Sequence, residues 1–496
     1  MNLKSGIIIL LLFAALAAKA QDIDQCVNSK LALEGITPSG KCSDATFLRR
    51  TYLVLTSAVP SVEETKAFLE STDANKRAKL VSKLLDSKGW IDNMVLRWGD
   101  MLRIKSEFPS CIWPNGVQAF NRWLMVQFRD NVPYDAFVKE LLCSTGSNFR
   151  TAPVNLFRIN TKRTPKTFCD DIALIFMGQR SHPKEWEKFF TQVYLKGTKE
   201  WKEEILCLDL DKPAPKNVYL GGKETISCKK RTDYRIDFAN WLTSKDNRQF
   251  AAVFVNRVWS WLMGTGIVEP VDDFSNENLP SNPELLDCLT TLFISNGYNV
   301  KELFRSILLS ETYSRTCRTN SSNRSDQRLF SHYIPHRLTG EQISDAISSI
   351  TGNFDIFASR APEPFTKYPK GTRSIEIGDG TVTISELEVL GRPSRDVSSA
   401  SARARSYNYK QVIYLLNSDH ILQKVRKNRA LTPIIYNEKT TKEEIVDYLY
   451  LSYLNRHATD NEKKTIVSLL PNAHVTTICE DVSIALLNSD EFLFVH

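Results

Sequence analysis

The sequence predicts a mainly α protein of two helical domains joined by a small β-containing linker, with a minor β-hairpin in the C-terminal domain. Three observations carry that prediction. Apolar residues recur at helical spacing through most of both halves. Capping boxes stand at Ser61–Glu64, Thr441–Glu444 and Thr459–Glu462. The one long stretch of alternating segments broken by Pro and Gly, Lys199 to Arg231, falls between the halves. With 42% hydrophobic and 24% charged residues over 496 positions, the chain has the composition for two or three globular cores.

Residues 1–20 read as a secretory signal peptide. Lys4 supplies the positive start, Ile7 to Ala18 (IIILLLFAALAA) the apolar core, and Ala18 and Ala20 the small residues before cleavage at Gln21. That apolar run is shorter than the roughly 20 residues needed to span a bilayer. No later stretch is long and apolar enough either. An N-terminal extension, 21–43, then leads into the first helical domain, 44–198. There a helix opens at Ser61 and runs through Phe68, followed by helices at Lys76–Leu85, Trp90–Leu102, Val117–Phe128, Tyr134–Leu142, Phe168–Met177 and Trp186–Tyr194.

The linker, 199–232, contains EEILCLDL, NVYLGG and ETISC, interrupted by Pro213, Pro215, Gly221 and Gly222. The second domain, 233–496, starts with Phe238–Leu242. Arg248–Met263 is apolar on nearly every face and so reads as a buried central helix. A helix start at Ser281–Pro283–Glu284 runs through Phe293, and Val300–Leu309, Gly340–Ile350 and Tyr409–Val425 continue the pattern. Arg373 to Leu390 alternates about Gly378–Asp379–Gly380, which predicts the hairpin.

Loss of the signal removes Lys4 and Lys19 and lowers the formal charge from +7 to +5. That charge is spread out and no nucleic-acid recognition motif accompanies it, so nucleic acid is excluded as a partner. The ten cysteines all follow residue 20. In an oxidising compartment, neighbours in sequence are disulfide candidates: Cys26 with Cys42, Cys111 with Cys143, Cys207 with Cys228, and Cys288 with Cys317. Spacing does not fix connectivity, and Cys169 and Cys479 read equally well as buried free thiols. No CxxC and no CxxCH occurs, which excludes zinc-ribbon and covalent c-type haem attachment by the usual motif.

Several strings resemble a family of planctomycete and related bacteria in which domain of unknown function 1549 precedes domain of unknown function 1553. The former is matched at FLRRTYLVLTSAVPSVEETKAFL (Phe47–Leu69), RAKLVSKLL (Arg77–Leu85) and VPYDAFVKELL (Val132–Leu142). The latter is matched at FVNRVWSWLMGTGIVEPVDDF (Phe254–Phe274), NPELLD (Asn282–Asp287), GRPSRD (Gly391–Asp396), QVIYLLNS (Gln411–Ser418) and LLNSDEFLF (Leu486–Phe494). Two departures stand out against relatives. Where many carry CxxCH before a His-Pro, this chain has IFMGQRSHPKEW (Ile175–Trp186), keeping only His182–Pro183. Where relatives carry Cys-Glu-Cys-Glu-Arg, it has Ser399, Ala400, Ser401, Ala402 and Arg403. A redox role implied by the resemblance therefore does not transfer.

Few polar residues suggest a site. Asn256 and Arg257 lie on the apolar Arg248–Met263 segment, and Asp272 and Asp273 follow in the next loop. As a cleft, two carboxylates and an Arg divide acid and base roles. As structure, they form an ion pair locking the loop to the helix, which is the commoner use of such residues. Arg392, Arg395, Arg403 and Arg405 surround a Gly-Arg-Pro turn and present either a ligand site for a carboxylate or sulfate or a salt-bridged set near Asp396. His332 and His336 are separated by Pro335, which disfavours a chelating helical pair, and His182 is a lone histidine, so no metal is expected. No cofactor motif, GxSxG, HExxH or Walker sequence is present.

The expectation is an exported, non-catalytic binding or scaffold protein of the periplasm or cell surface, with extracellular polysaccharide or another exported protein as its partner. The alternative is an enzyme on extracellular glycans using Asp272 and Asp273 with Arg257. N-terminal sequencing of material recovered from the exported fraction is expected to begin at Gln21; an intact Met1 in that fraction overturns the signal reading.

Overall fold

The computed structural model describes residues 21–221, 225–359, 367–398, 408–435 and 440–496. The proposed signal, Gly222, the Ser399–Arg403 string and Arg405 lie outside the described residues. The first helix, α1 over residues 21–33, buries Ile23, Val27 and Leu31 at four-residue spacing. It is anchored far along the chain. Asp24 accepts from the Glu311 amide (2.8 Å), the Thr312 amide (2.9 Å) and the Thr312 hydroxyl (2.7 Å). Residues 39–42 then run beside residues 314–331: Ser39 N donates to Ser331 O, and Cys42 N to Ser314 O, both at 2.8 Å. The N-terminal extension is thus a part of the second half in space.

Next come α2 (Asp44–Thr56), α3 (Val62–Glu70), α4 (Lys76–Leu85), α5 (Lys88–Met101), α6 (Pro114–Arg129) and α7 (Tyr134–Cys143). The Ser61–Glu64 capping box opens α3 as expected. After β1 (Gly146–Ser147) and a 3-10 turn at Ala152–Arg158, α8 (Pro165–Met177) starts behind a Thr164 cap. The helix predicted for Trp186–Tyr194 is instead a 3-10 turn, Lys184–Phe190, running into β2 (Val193–Gly197). Trp186, Phe189 and Phe190 are all buried, and all three rings pack against Phe238. The following Val193–Gly197 then pairs along its whole length with β3 (Glu204–Leu208). Strand order is β1-β3-β2, all antiparallel, and β4 (Val218–Tyr219) pairs with β5 (Thr225–Ile226). The β-element therefore begins before residue 199.

The second half contains α9 (Tyr234–Leu242), α10 (Arg248–Met263), α11 (Pro283–Ser295), α12 (Val300–Leu308), β6 (His336–Arg337) and α13 (Gly340–Thr351). The central helix has the predicted bounds, while α11 is capped by Asn282, not Ser281. The expected hairpin at Arg373–Leu390 is absent. A 3-10 turn at Ser374–Glu376 and a short helix, α14 (Ser385–Val389), occupy the segment. Its backbone bonds elsewhere: the Ser374 and Ile375 amides donate to Asp345 (2.6 and 3.2 Å), and the Gly380 amide to Ile104 O (2.9 Å). These partners leave no strand ladder to form.

Tyr409–Val425 is two helices, α15 (Tyr409–Asn417) and α16 (Asp419–Arg426), because Ser418 between them is extended. The chain ends with α17 (Thr432–Ile435), α18 (Lys442–Leu454), α19 (Asp460–Leu469), α20 (Val475–Leu487), α21 (Asp490–Leu493) and β7 (Phe494–Val495), which pairs with β6. The Thr441 and Thr459 capping boxes both form. No helix among the described residues is long and apolar enough to cross a membrane.

One apolar core runs through both halves. Trp98 of α5 meets Phe137 at 4.8 Å and, within 6.5 Å, Phe128, Tyr134, Phe176 and Phe254 of α10. Tyr134 stacks on Phe250 and Phe254 at 4.9 and 4.2 Å. Arg49 and Arg50 of α2 complete the junction. Arg49 donates to Tyr453 O and Asn455 Oδ1 (both 2.8 Å) and to Phe492 O (3.0 Å). Arg50 donates to His496 O (2.9 Å), Tyr313 O and Arg315 O (3.0 Å), with its guanidinium 3.6 Å from the Tyr333 ring centroid. Burial pulls the Arg49 pKa down to about 10, which still leaves it charged at neutral pH.

Two predictions follow from these contacts. Arg49→Met leaves buried carbonyls without donors and is expected to cost about 3 kcal/mol, read as a lower urea midpoint at unchanged slope. Arg456 bonds Glu462 at 2.9 Å and Glu491 at 2.6 Å, and holds Glu462 down at about 2 from its ordinary 4.5. A depressed folded pKa gives stability that is present above pH 4.5 and lost as pH falls through about 2. Glu462→Gln is therefore expected to flatten the decline of stability across that window in acid titrations followed by circular dichroism.

Candidate functional site

Asn256 and Arg257 face opposite tasks from adjacent positions on α10. Asn256 clamps the loop behind the helix: its Nδ2 donates to Val268 O (2.9 Å) and Val271 O (3.2 Å), and its Oδ1 accepts from Val268 N (2.9 Å). Gly266 makes room for this, since a Cβ there meets Val268 O at 2.3 Å. Arg257 donates through Nε to Asp272 Oδ1 (2.9 Å), and through Nη1 and Nη2 to the carbonyls of Ile175 and Leu174 in α8. A cation at the last turn of α8 also complements that helix's negative end. Arg257 and Asp272 are both buried.

Asp273 is set apart from this pair. Its side chain is about a quarter exposed, accepts from the Ser275 amide at 3.2 Å, and lies 3.9 Å from Arg180. Bonding to Ser275 holds its carboxyl below the usual range. The two adjacent carboxylates thus sit in unlike settings, one closing a buried ion pair and the other capping a surface turn.

Arg392 and Arg395 point inward. Arg392 donates to Val382 O (2.7 Å) and lies 3.7 Å from Glu341. Arg395, with φ of 57°, reaches Asp100 Oδ1 (2.9 Å), Ile104 O (3.0 Å) and Gly378 O (2.6 Å). Gly99 and Gly380 form the slot it enters, because a Cβ on either meets the Arg395 side chain within 3.0 Å. The Gly-Arg-Pro turn therefore fastens the C-terminal half to α5, and Arg403, its expected companion, lies outside the described residues.

The histidines are likewise engaged. His182 contacts Asp170 (2.9 Å) and Glu187 (3.3 Å) and stacks near Trp186. His332 is buried beside Ser331, and His336 fills the space left by Gly264. Among the described residues no three His, Cys, Asp or Glu side chains gather as a metal site. All ten cysteines are free thiols, so none of the four sequence-neighbour pairs is bridged.

Two constellations escaped the sequence reading. The first is a polar network joining α13, α15 and α16. Asp355 accepts from Lys424 (2.7 Å) and bonds His420 (2.8 Å), His420 bonds Tyr414 (2.9 Å), and Lys424 also donates to Ser348 (2.8 Å). Burial pushes the Asp355 carboxyl up, yet His420 and Lys424 hold it below its usual range. These groups satisfy one another within the fold.

The second is at the surface. Trp201, 70% exposed at the turn between β2 and β3, meets Trp113 edge-on at 6.4 Å. Lys202 places its ammonium 5.0 Å from the Trp201 ring and 5.9 Å from that of Trp113. Both supporting loops are braced. Arg158 donates to Ile112 O (3.0 Å) on one side and to Glu204 (2.7 Å) on the other, while Thr198 N bonds Glu203 O (3.1 Å) across the turn. Phe108, 72% exposed, lies five residues before Trp113 on the same loop. An exposed Trp ring set against a half-buried one, with a cation beside them, is uncommon on a surface with no partner to bind. Trp201 sits in the stretch read as a linker, so no periodicity drew attention to it.

Residues 22–193 match the family described as protein of unknown function (DUF1549), and residues 234–470 match that described as protein of unknown function (DUF1553). No curated protein and no solved structure matches the chain. Asp272→Asn strips a buried guanidinium of its counter-charge and is expected to cost about 3 kcal/mol, whereas Asp273→Asn is expected to stay within about 0.5 kcal/mol. Chemical denaturation of the two variants checks the contrast; equal losses overturn the assignment of Asp272 as the locking residue.

Proposed function

The chain belongs to the family in which a DUF1549 segment precedes a DUF1553 segment, and within that family we propose that it is an exported, non-catalytic binding protein for an extracellular polysaccharide. The observation that carries this reading is the Trp113–Trp201 pair. Flat, rigid rings lose little entropy on binding and stack on the apolar C–H faces of sugar rings, while a neighbouring cation attracts acidic groups. Lys202 fits that second role at the rim of the patch. The signal-like residues 1–20 support a location in the periplasm or outside the cell. The fully occupied fork of Arg257 supports a fixed loop there more than a reacting centre.

Affinity electrophoresis of the mature protein through gels containing neutral or acidic polysaccharides tests the proposal. Wild type is expected to be retarded by at least one polymer, and Trp201→Ala to weaken that retardation about ten-fold or more, as for loss of an aromatic anchor. Its melting temperature is expected to stay unchanged, because the ring is mostly exposed. Equal retardation of wild type and Trp201→Ala, or no retardation by any polymer, overturns it.

A further inference from the structure

The hairpin that carries Trp201 at its turn has a basic cavity at its open end. Thr191 precedes β2, Lys212 follows β3, and the strands pair over five residues, from Val193 with Leu208 to Gly197 with Glu204. At roughly 3.3 Å per residue, about 17 Å of paired strand separates the open end from the turn. Lys188, Lys212, Lys216 and Thr191 line a cavity of about 590 Å³ there, with Pro213, Ala214 and Pro215 in its walls. Small-molecule sites fall in the range of roughly 300–1,000 Å³, so the space suits a sugar residue.

Local structure brings these lysines together. The Lys184–Phe190 turn buries Trp186, Phe189 and Phe190, which leaves Lys188 on its outer side. Pro213 and Pro215 fix φ on either side of Ala214. Cys228 N donates to Pro215 O at 2.9 Å, and the Tyr234 hydroxyl to Lys212 O at 2.8 Å. Buried Gln192 ties the two walls: its carbonyl accepts from Asp209 N (2.9 Å), its Oε1 from Tyr234 N (3.0 Å), and its Nε2 donates to Thr232 O (2.9 Å).

Three ammonium groups share the cavity, and among the described residues no carboxylate lines it. Lys212 comes within 3.7 Å of Asp209, while Lys188 and Lys216 have no ion pair among the described residues. Other carboxylates nearby in sequence are engaged: Asp211 with Arg231 at 3.0 Å, and Asp170 with Lys166 at 2.7 Å. Like charges converging on a concave wall focus the field and draw in an anion. Between cavity and turn, Tyr194 and Lys196 alternate outward on β2 and are exposed.

We propose that the cavity of Lys188, Lys212 and Lys216 binds the acidic group, a uronate carboxylate or a sulfate ester, of a polysaccharide whose chain continues along the hairpin to Trp201. The proposal rests on the polysaccharide reading and narrows it to acidic polymers. Ammonium groups on flexible stems adapt to either oxyanion, while the Pro213–Pro215 wall meets the apolar face of the sugar. Two linked subsites on one chain raise its affinity above that of either alone.

Charge reversal tests it. The double variant Lys188→Glu/Lys216→Glu changes two exposed cavity residues, and Lys66→Glu/Lys464→Glu makes the same change in net charge on α3 and α19, outside the cavity. Each protein's mobility in gels containing dextran sulfate, polygalacturonate or neutral dextran is compared with its own mobility without polymer. Wild type is expected to be retarded by dextran sulfate or polygalacturonate and not by dextran, and the polymer that acts tells sulfate from carboxylate. The cavity variant is expected to lose about ten-fold or more of that affinity at unchanged melting temperature, and the control pair to stay within about two-fold. Equal loss in the control pair, full retardation of the cavity variant, or retardation by dextran equal to that by the acidic polymers overturns the proposal. Loss confined to Trp201→Ala overturns the cavity and leaves the polysaccharide reading standing, whereas no retardation by any polymer overturns both.

Discussion

Buried guanidinium groups aimed at backbone carbonyls hold this molecule in one piece. Arg49 and Arg50 reach from α2 to the carbonyls of Tyr453 in α18, Phe492 in α21, Tyr313 and His496. Arg257 reaches back from α10 to the end of α8, and Arg395 from the C-terminal half to α5. A guanidinium removed from water is tolerated only when its donors are satisfied. Each of these donates to at least one group in the other family segment: Arg49 to Tyr453, Arg50 to Tyr313, Arg257 to Ile175 and Leu174, and Arg395 to Asp100 and Ile104. The arrangement makes the relative placement of the two segments close to all-or-none, since a small slip breaks several charge-assisted bonds together. The aromatic cluster around Trp98 then packs a junction whose geometry the arginines have set.

Those same arginines explain what could be read from the sequence and what could not. Capping boxes are local, and Ser61, Thr441 and Thr459 cap helices where the sequence placed them. The helix Arg248–Met263 is apolar all round and lands at its predicted bounds. By contrast, α2 carries two charged residues in the middle of an apolar string, which blurs its periodicity. Their acceptors lie hundreds of residues away and leave no mark near them. The Arg373–Leu390 segment failed for a related reason. Alternation signals a strand only when a partner strand exists, and here the amides are claimed by Asp345 and Ile104.

The candidate site divides along the same line. Arg257 with Asp272 was legible because helix, loop and charges lie within one short stretch. That Arg392 and Arg395 turn inward was not, since their partners Asp100, Ile104 and Glu341 are distant in sequence. Trp201 drew no notice because a surface aromatic at a hairpin turn has no period to betray it.

Docking of α1 onto residues 282–331 has a consequence for biosynthesis. Ribosomes deliver Ile23, Val27 and Leu31 first, yet the segment α1 docks on is made some 250 residues later, so the N-terminal half cannot finish packing until that segment has emerged. Nascent polypeptide must carry an exposed greasy ridge for most of its synthesis. A holding chaperone, or delayed folding until release, suits such a chain better than stepwise domain-by-domain maturation.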